Sequence, residues 1–332
     1  MEKVLEIRNL CVSLNTYAGK IRAVRNISFD LRKGETLVVV GESGCGKTVM
    51  SKSIMGLLPE DISEINKDAK IMFDNKNILD MSKKELRNLR GKDISMIFQD
   101  PMTYLNPTMT IGEQIAESLI IHEKIRKKKA LEGVIKILEL VKIPDAKQRI
   151  NQYPHEFSGG MRQRVIIAIA LACNPKVLIA DEPTTALDVT TQADIMELIS
   201  EIQAALNTSV ILITHDLGIA AEVADRIQVM YAGEIIEKGT REEIFKNPGH
   251  PYTWGLLRSI PNLGQKNKKE LYSLGGTPPD LFSPPEACSF ASRCKYCMKI
   301  CTEIKPETTE VSETQSVTCW LRHPLAPEIG VP

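Results

Sequence analysis

An excess of charge of either sign, a rich aromatic complement and a membrane-length apolar run are all missing from this sequence. Its 332 residues carry 42 Lys plus Arg against 42 Asp plus Glu, so the formal net charge is zero. Such a balance exerts no general pull on polynucleotides or anionic lipid, and no nucleic-acid partner is expected. Aromatics make up 5% and hydrophobic residues 43%, an ordinary composition for a soluble protein large enough to bury a substantial core. The longest apolar run, 165–173, falls well short of the roughly 18–20 residues that cross a bilayer. The first residues, Met1, Glu2, Lys3 and Val4, lack the apolar stretch of a signal peptide. The expectation is a cytoplasmic chain. No internal repeat is visible.

What is present alternates. Period-2 patterning predicts strands over 4–14 and 21–32 with a turn at Gly19, then a short β-branched strand over 36–40 leading to a helix over 47–58. A further strand is expected over 69–79 and a buried one over 94–98. From about 111 to 170 the period is helical, and the basic run Lys124, Arg126, Lys127, Lys128 and Lys129 reads as a solvated helix face. Continuous apolar runs at 177–180 and 210–214 flank a helix over 191–206, as in the central strands of a parallel sheet. The fold class is α/β. Beyond about 240 prolines accumulate (Pro248, Pro251, Pro278, Pro279, Pro284 and Pro285 among them), and 245–332 reads as a C-terminal extension.

Gly41, Ser43, Gly44, Cys45, Gly46, Lys47 and Thr48 fall in the pattern G-x-x-x-x-G-K-[ST] between a strand and a helix. The glycines let backbone N–H groups turn inward on a β-phosphate, and the helix N-terminus adds its partial positive charge. Lys47 places an ammonium against the β- and γ-phosphates, and Thr48 offers its hydroxyl to Mg²⁺. Cys45 is either a tolerated small side chain or an oxidisable thiol beside the nucleotide. The strand 177–180 ends in Asp181 and Glu182. Downstream of a phosphate loop such a pair marks a nucleotide hydrolase, with Asp181 on the metal and Glu182 polarising the attacking water.

Phe157, Ser158, Gly159, Gly160, Met161, Arg162, Gln163 and Arg164 precede Asp181 by seventeen residues. This run resembles the signature [LF]-S-G-G-x-x-Q-R of the ABC ATPases. Gln99 after a strand, the Ala186-Leu187-Asp188 run and His215 follow that family's order over about residues 4–245. The resemblance implies a P-loop ATPase domain over 1–244, with a RecA-like core, an antiparallel β subdomain and a helical signature subdomain over about 100–170. It implies that two such domains meet head to tail with ATP between them. Ser158, Gly159 and Gly160 would then reach the γ-phosphate of the ATP bound by a second ATPase subunit, a paralogue or a second copy. It also implies Glu182 as general base and His215 as a γ-phosphate contact that positions the water. Gln99 is implied on Mg²⁺ and as a sensor of the membrane subunit, with Asp188 linking the two sites. Tyr17 stands where the family carries an adenine-stacking aromatic; the other reading is a surface tyrosine.

The stretches 99–107 and 247–257 are similar to those of dipeptide and oligopeptide importer ATPases, with nickel-importer ATPases as near relatives. That branch implies a subunit on the cytoplasmic face of the membrane beneath two permease subunits, served indirectly by an external peptide-binding protein. The alternative reading is a nickel or other small-solute importer, or a soluble non-transport ABC ATPase. Eight cysteines are present, five of them beyond residue 287. In a cytoplasmic chain such a cluster suggests a metal site ahead of disulfides. Cys288, Cys294, Cys301 and Cys319 correspond to the four-cysteine pattern that this branch associates with a [4Fe–4S] cluster. Zinc is the rival occupant, because Cys294 and Cys297 form a C-x-x-C pair.

Overall fold

A computed structural model of the chain describes residues 2–185, 187–260, 274–327 and 329. Two compact units are present. One comprises Ile7–Phe29, Thr36–Ile71 and Thr214–Pro332 and holds the phosphate loop. The other comprises Met1–Glu6, Asp30–Glu35 and Met72–Ile213 and holds the signature. Ala186 lies outside the described residues.

In the phosphate-loop unit, every residue of the strand Thr36–Val40 is buried. Burial of each Val or Leu side chain there contributes roughly 1.5–3 kcal/mol, enough to make the strand a rigid base for the loop that follows. The strand Arg226–Tyr231 pairs with it in parallel, from Arg226 against Leu37 to Val229 against Val40. Arg226–Tyr231 is followed across an antiparallel ladder by Glu234–Thr240, which in turn pairs with Ser316–Thr318 and then Thr308–Glu310. The C-terminal region therefore adds two strands to this sheet. In a second sheet, residues 7–16 and 19–29 belong to the two long strands Lys3–Thr16 and Gly19–Arg32, and Ser63–Ile65 pairs antiparallel to Val12, Ser13 and Leu14.

The signature unit contains three parallel segments: Ile94–Ile97 beside Val177–Asp181, and Val177–Asp181 beside residues 209–213. Helices Ile111–Glu123, Lys127–Leu140 and Gly159–Leu171 pack on one another, and Ile115, Val134, Leu138, Val165 and Ile167 on them are buried.

Four sequence expectations are modified. The helix after the phosphate loop spans Lys47–Ile54 and stops before Leu58, because Gly56 takes φ +59° and Pro59 follows. The strand expected over 69–79 is a hairpin, Lys70–Phe73 and Lys76–Asn77, turning at Asp74 and Asn75 with φ of 46° and 63°. The basic run is not one helix face: Lys124 is left-handed at the end of one helix, and Arg126 is the extended residue just before the next. The helix expected from 191 starts at Val189. Among the described residues no helix is long and apolar enough to cross a membrane.

Candidate nucleotide site

The phosphate loop joins the strand Thr36–Val40 to the helix Lys47–Ile54. Two of its glycines are required by geometry. Gly46 has φ +102°, and a Cβ there would lie 2.2 Å from the Ala23 carbonyl oxygen. A Cβ on Gly41 would lie 2.2 Å from the Met230 carbonyl oxygen. Any side chain at either position would force the loop off its supporting strands.

Lys47 is 5% exposed, and its ammonium donates to the carbonyl oxygens of Gly41 at 2.7 Å and Glu42 at 2.9 Å. The charge is thereby held at the concave side of the loop that the sequence assigns to phosphate. The Cys45 thiol lies 3.8 Å from the same ammonium. Burial pushes this thiol above its ordinary value, more than the Lys47 charge lowers it. The neutral thiol is the unreactive form, which favours the reading of Cys45 as a small packed side chain. Thr48 occupies the first turn of the helix, and Ser43 and Gly44 form the loop tip.

Two further sequence-derived residues belong to this unit. Tyr17 is fully exposed at the tip of the hairpin between Thr16 and Gly19. His215 is exposed directly after Thr214, and the next residue, Asp216, caps the helix Leu217–Val223 through Gly218 at 2.6 Å.

In the signature unit, Asp181 is 2% exposed at the end of its strand. Glu182 follows in the left-handed region, φ +47°, with its N–H donating to the Ile213 carbonyl at 2.9 Å. A non-glycine residue held there stores roughly 1–3 kcal/mol of strain, a common feature of catalytic side chains. The Gln99 amide donates to Glu182 Oε2 at 3.1 Å, and the Thr185 hydroxyl donates to the same oxygen at 3.0 Å. Two donors on one oxygen fix the plane of the carboxylate. The sequence alone had not singled out Thr185. Its only signal was its place three residues beyond Glu182.

Ser158 is exposed and caps the helix Gly159–Leu171, its hydroxyl accepting from the Met161 N–H at 3.4 Å. Asp188 caps the helix Val189–Leu206 through Thr191, accepting from its N–H at 3.0 Å and its hydroxyl at 2.7 Å. Those bonds, the hydroxyl's first, hold the Asp188 carboxyl below its ordinary range. Thr191 also reaches the signature, because a Cβ on Gly160 would lie 2.8 Å from its Cγ2. Asp188 and Gly160 are thus joined through one threonine that sequence reasoning had not named, although D-x-x-T is a capping spacing. Gly159 has more room, with Leu187 Cδ2 at 4.0 Å.

The C-terminal thiols gather. The Cys288 N–H donates to the Cys301 carbonyl at 3.1 Å, and the Cys297 N–H donates to the Cys294 carbonyl at 3.2 Å. Burial pushes Cys288 and Cys294 up to about 11 and Cys319 up to about 12. Cys301 and Cys319 are buried, whereas Cys297 is exposed beside Cys301. Among the described residues no group of three or more His, Cys, Asp or Glu is arranged to hold a metal ion.

Residues 24–185 match the family model described as ABC transporter, and residues 236–301 match that of the oligopeptide/dipeptide transporter C-terminal region. The dipeptide transport ATP-binding protein DppD of Bacillus subtilis is 58% identical over 322 residues, covering 97% of this chain and 96% of its own length. The oligopeptide transport ATP-binding protein OppD of the same organism is 55% identical over 330 residues, covering 99% and 92%. Among solved structures, the ATP-binding cassette MJ0796, a dimer in a post-hydrolysis state with ADP and Pi, superposes with a TM-score of 0.63. It is 27% identical and covers 71% of this chain and 98% of its own. With its phosphate loop, its signature and the Gln99–Glu182 pair in place, the chain belongs to the ATP-binding subunits of ABC transporters, in the branch that carries the oligopeptide/dipeptide transporter C-terminal region.

Proposed function

We propose that this chain is the ATP-hydrolysing subunit of an importer for dipeptides or oligopeptides, seated peripherally on the cytoplasmic face of the membrane. Its partners are a second ATPase subunit, two permease subunits and, indirectly, an external peptide-binding protein. The observation that carries the reading is full-length similarity to peptide-transport ATP-binding proteins, including the C-terminal region. The ATPase domain is assigned to 1–244, with its helical subdomain over about 100–170, and the extension to 245–332.

Within the cycle, the phosphate-loop N–H groups and Lys47 bind the β- and γ-phosphates, and Tyr17 stacks on adenine. The hydroxyl of Thr48, the carboxylate of Asp181 and the amide oxygen of Gln99 are hard oxygen donors of the kind Mg²⁺ takes. Gln99 uses its nitrogen for Glu182, so its oxygen is the atom suited to the ion. When bound, Mg²⁺ neutralises charge on the phosphates. Glu182, oriented by Gln99 and Thr185, takes the proton of the attacking water, and His215 contacts the γ-phosphate. Ser158 and the N–H groups of Gly159 and Gly160 face the γ-phosphate of the ATP on the second subunit, with Asp188 linking the two sites. ADP offers those donors nothing, so hydrolysis lowers the affinity between subunits. That difference in affinity is the work available to the permeases.

The finer reading of the extension is a [4Fe–4S] cluster on Cys288, Cys294, Cys301 and Cys319, of structural role. Support comes from the backbone bond between Cys288 and Cys301, which brings two of the four thiol-bearing residues together across thirteen positions. A cubane needs one thiolate per iron at separate corners, whereas zinc needs its ligands on a single point. Anaerobically purified protein is expected to be brown, with about four irons per chain. A colourless preparation with one zinc per chain overturns this part.

Transport is tested with the permease complex in proteoliposomes supplied with its external binding protein. ATP-dependent uptake of labelled peptide, lost in Lys47→Ala, is the expected result. Uptake of nickel with none of peptide overturns the cargo assignment.

A further inference from the structure

Glu42 places a carboxylate inside a loop built to cradle polyphosphate. An unpaired negative charge there repels the ligand, and at short range in a partly buried site that repulsion is strong. Its counter-charge comes from the far end of the chain. Arg293 Nη1 donates to Glu42 Oε2 at 2.6 Å and Nη2 to Oε1 at 2.9 Å, a bidentate fork across 251 residues. The Arg293 side chain is 3% exposed and that of Glu42 27%.

The guanidinium is fully specified. Its remaining N–H groups donate to Gly275 O at 3.0 Å, Leu274 O at 3.3 Å and the Tyr231 hydroxyl at 3.3 Å. With the two bonds to Glu42, every one of the five donors that arginine possesses has a partner. Stacking against Tyr231 and Phe290, with ring centroids 5.7 and 5.9 Å away, completes the enclosure. Glu42 is held equally closely. Its N–H donates to the hydroxyl of the buried Tyr252 at 2.9 Å, and its carbonyl accepts from Lys47. Other contacts fasten the same extension nearby: the Arg25 guanidinium donates to Pro285 O at 2.8 Å, and the Arg22 N–H donates to Leu281 O at 2.8 Å.

We infer that Arg293 is a positioning residue for nucleotide binding, neutralising Glu42 and holding the phosphate loop from the C-terminal extension. Neither side chain reaches the reacting atoms in the proposed cycle, so the effect falls on affinity and not on the chemical step. Arg293 immediately precedes Cys294, which ties the thiol-bearing loops to the loop that binds phosphate.

The inference rests on ATP binding at the phosphate loop, and the test separates the two. A fluorescent ATP analogue with Mg²⁺ is titrated into the full chain, Lys47→Ala, Arg293→Gln, Glu42→Gln and the Glu42→Gln/Arg293→Gln double variant. KM and kcat are measured on the assembled complex. Arg293→Gln is expected to weaken binding about ten-fold and to raise KM in step, with kcat within about two-fold of the parent. The double variant, with no carboxylate left to repel the phosphates, is expected to recover most of that loss. If Arg293→Gln does not fold, Arg293→Lys carries the test: it keeps the charge but loses the fork, and a rise in Kd of about three-fold is expected. Binding within two-fold of the parent in Arg293→Gln, or an unchanged Kd in the lysine variant when only that folds, overturns the inference. A double variant as weak as Arg293→Gln also overturns it. A parent chain that binds no ATP, like Lys47→Ala, would instead refute the nucleotide-site reading itself.

Discussion

Gln99 and Glu182, 83 residues apart, share a hydrogen bond of 3.1 Å from amide nitrogen to carboxylate oxygen. One side chain comes from the segment after a buried strand, the other from the end of the neighbouring parallel strand. A residue proposed to sense the permease therefore touches the residue proposed to activate water. Displacement of Gln99 would reorient the base directly, which is a short route for coupling transport to hydrolysis.

Glu182→Gln keeps the acceptor oxygen for Gln99 and Thr185 but removes the basic carboxylate. ATP hydrolysis should fall by about 10²–10⁴-fold while ATP binding survives. Size-exclusion chromatography with ATP and Mg²⁺, with the ATPase partner supplied, should show an accumulated dimer. Only monomers under those conditions would count against the assignment.

Lys47→Ala removes the ammonium from two loop carbonyls as well as from its proposed place against the phosphates. Nucleotide binding should drop below detection in equilibrium dialysis. Loss of the two internal bonds should cost about 1–3 kcal/mol of stability, measured by denaturant unfolding. Undiminished binding would contradict the loop's role.

Gly160→Ala tests the contact between the signature and Thr191. The added methyl meets Thr191 Cγ2 at 2.8 Å, and rotating Thr191 away disturbs its hydroxyl bond to Asp188. A loss of about 1–3 kcal/mol is expected. Thr191→Ser removes that methyl while keeping the hydroxyl that serves Asp188, so adding it should restore most of the stability. Thermal unfolding of the single and double variants provides the check.

Asp188 gives a signed pH dependence. Its carboxyl is held below the ordinary value of 3.8 by Thr191. A depressed folded value means the stabilisation is present above pH 3.8 and is lost as pH falls through that lower value. Asp188→Asn retains a capping oxygen and does not titrate. The stability difference between parent and Asp188→Asn should therefore be constant near neutrality and shrink in strong acid. Guanidinium midpoints across the acid range decide it, and a gap that does not change there would refute the cap's ionic part.

The local features were readable because they are local. The phosphate loop and the signature each occupy one short run whose residue types follow from close backbone approach, and the strand 36–40, apolar from Leu37 to Val40, is as buried as its composition demands. Contacts across long stretches of chain left no such trace. Nothing adjacent to Arg293 announces Glu42, and the pairing of Ser316–Thr318 with Glu234–Thr240 joins segments that look unrelated in composition. The turn at Asp74 and Asn75 was written in two residues that tolerate positive φ, but the apolar alternation around them masked it. The basic run misled for a similar reason, since charge alone does not reveal a left-handed break at Lys124.

The central claim is that the signature of one subunit closes on the ATP held by another. It is tested most directly by adding Ser158→Arg to Glu182→Gln in the chain co-purified with its ATPase partner, then weighing the complex by light scattering with ATP and Mg²⁺. The account predicts that the double variant binds ATP as Glu182→Gln does yet fails to accumulate the ATP-held dimer. A dimer as stable as that of Glu182→Gln alone would contradict it.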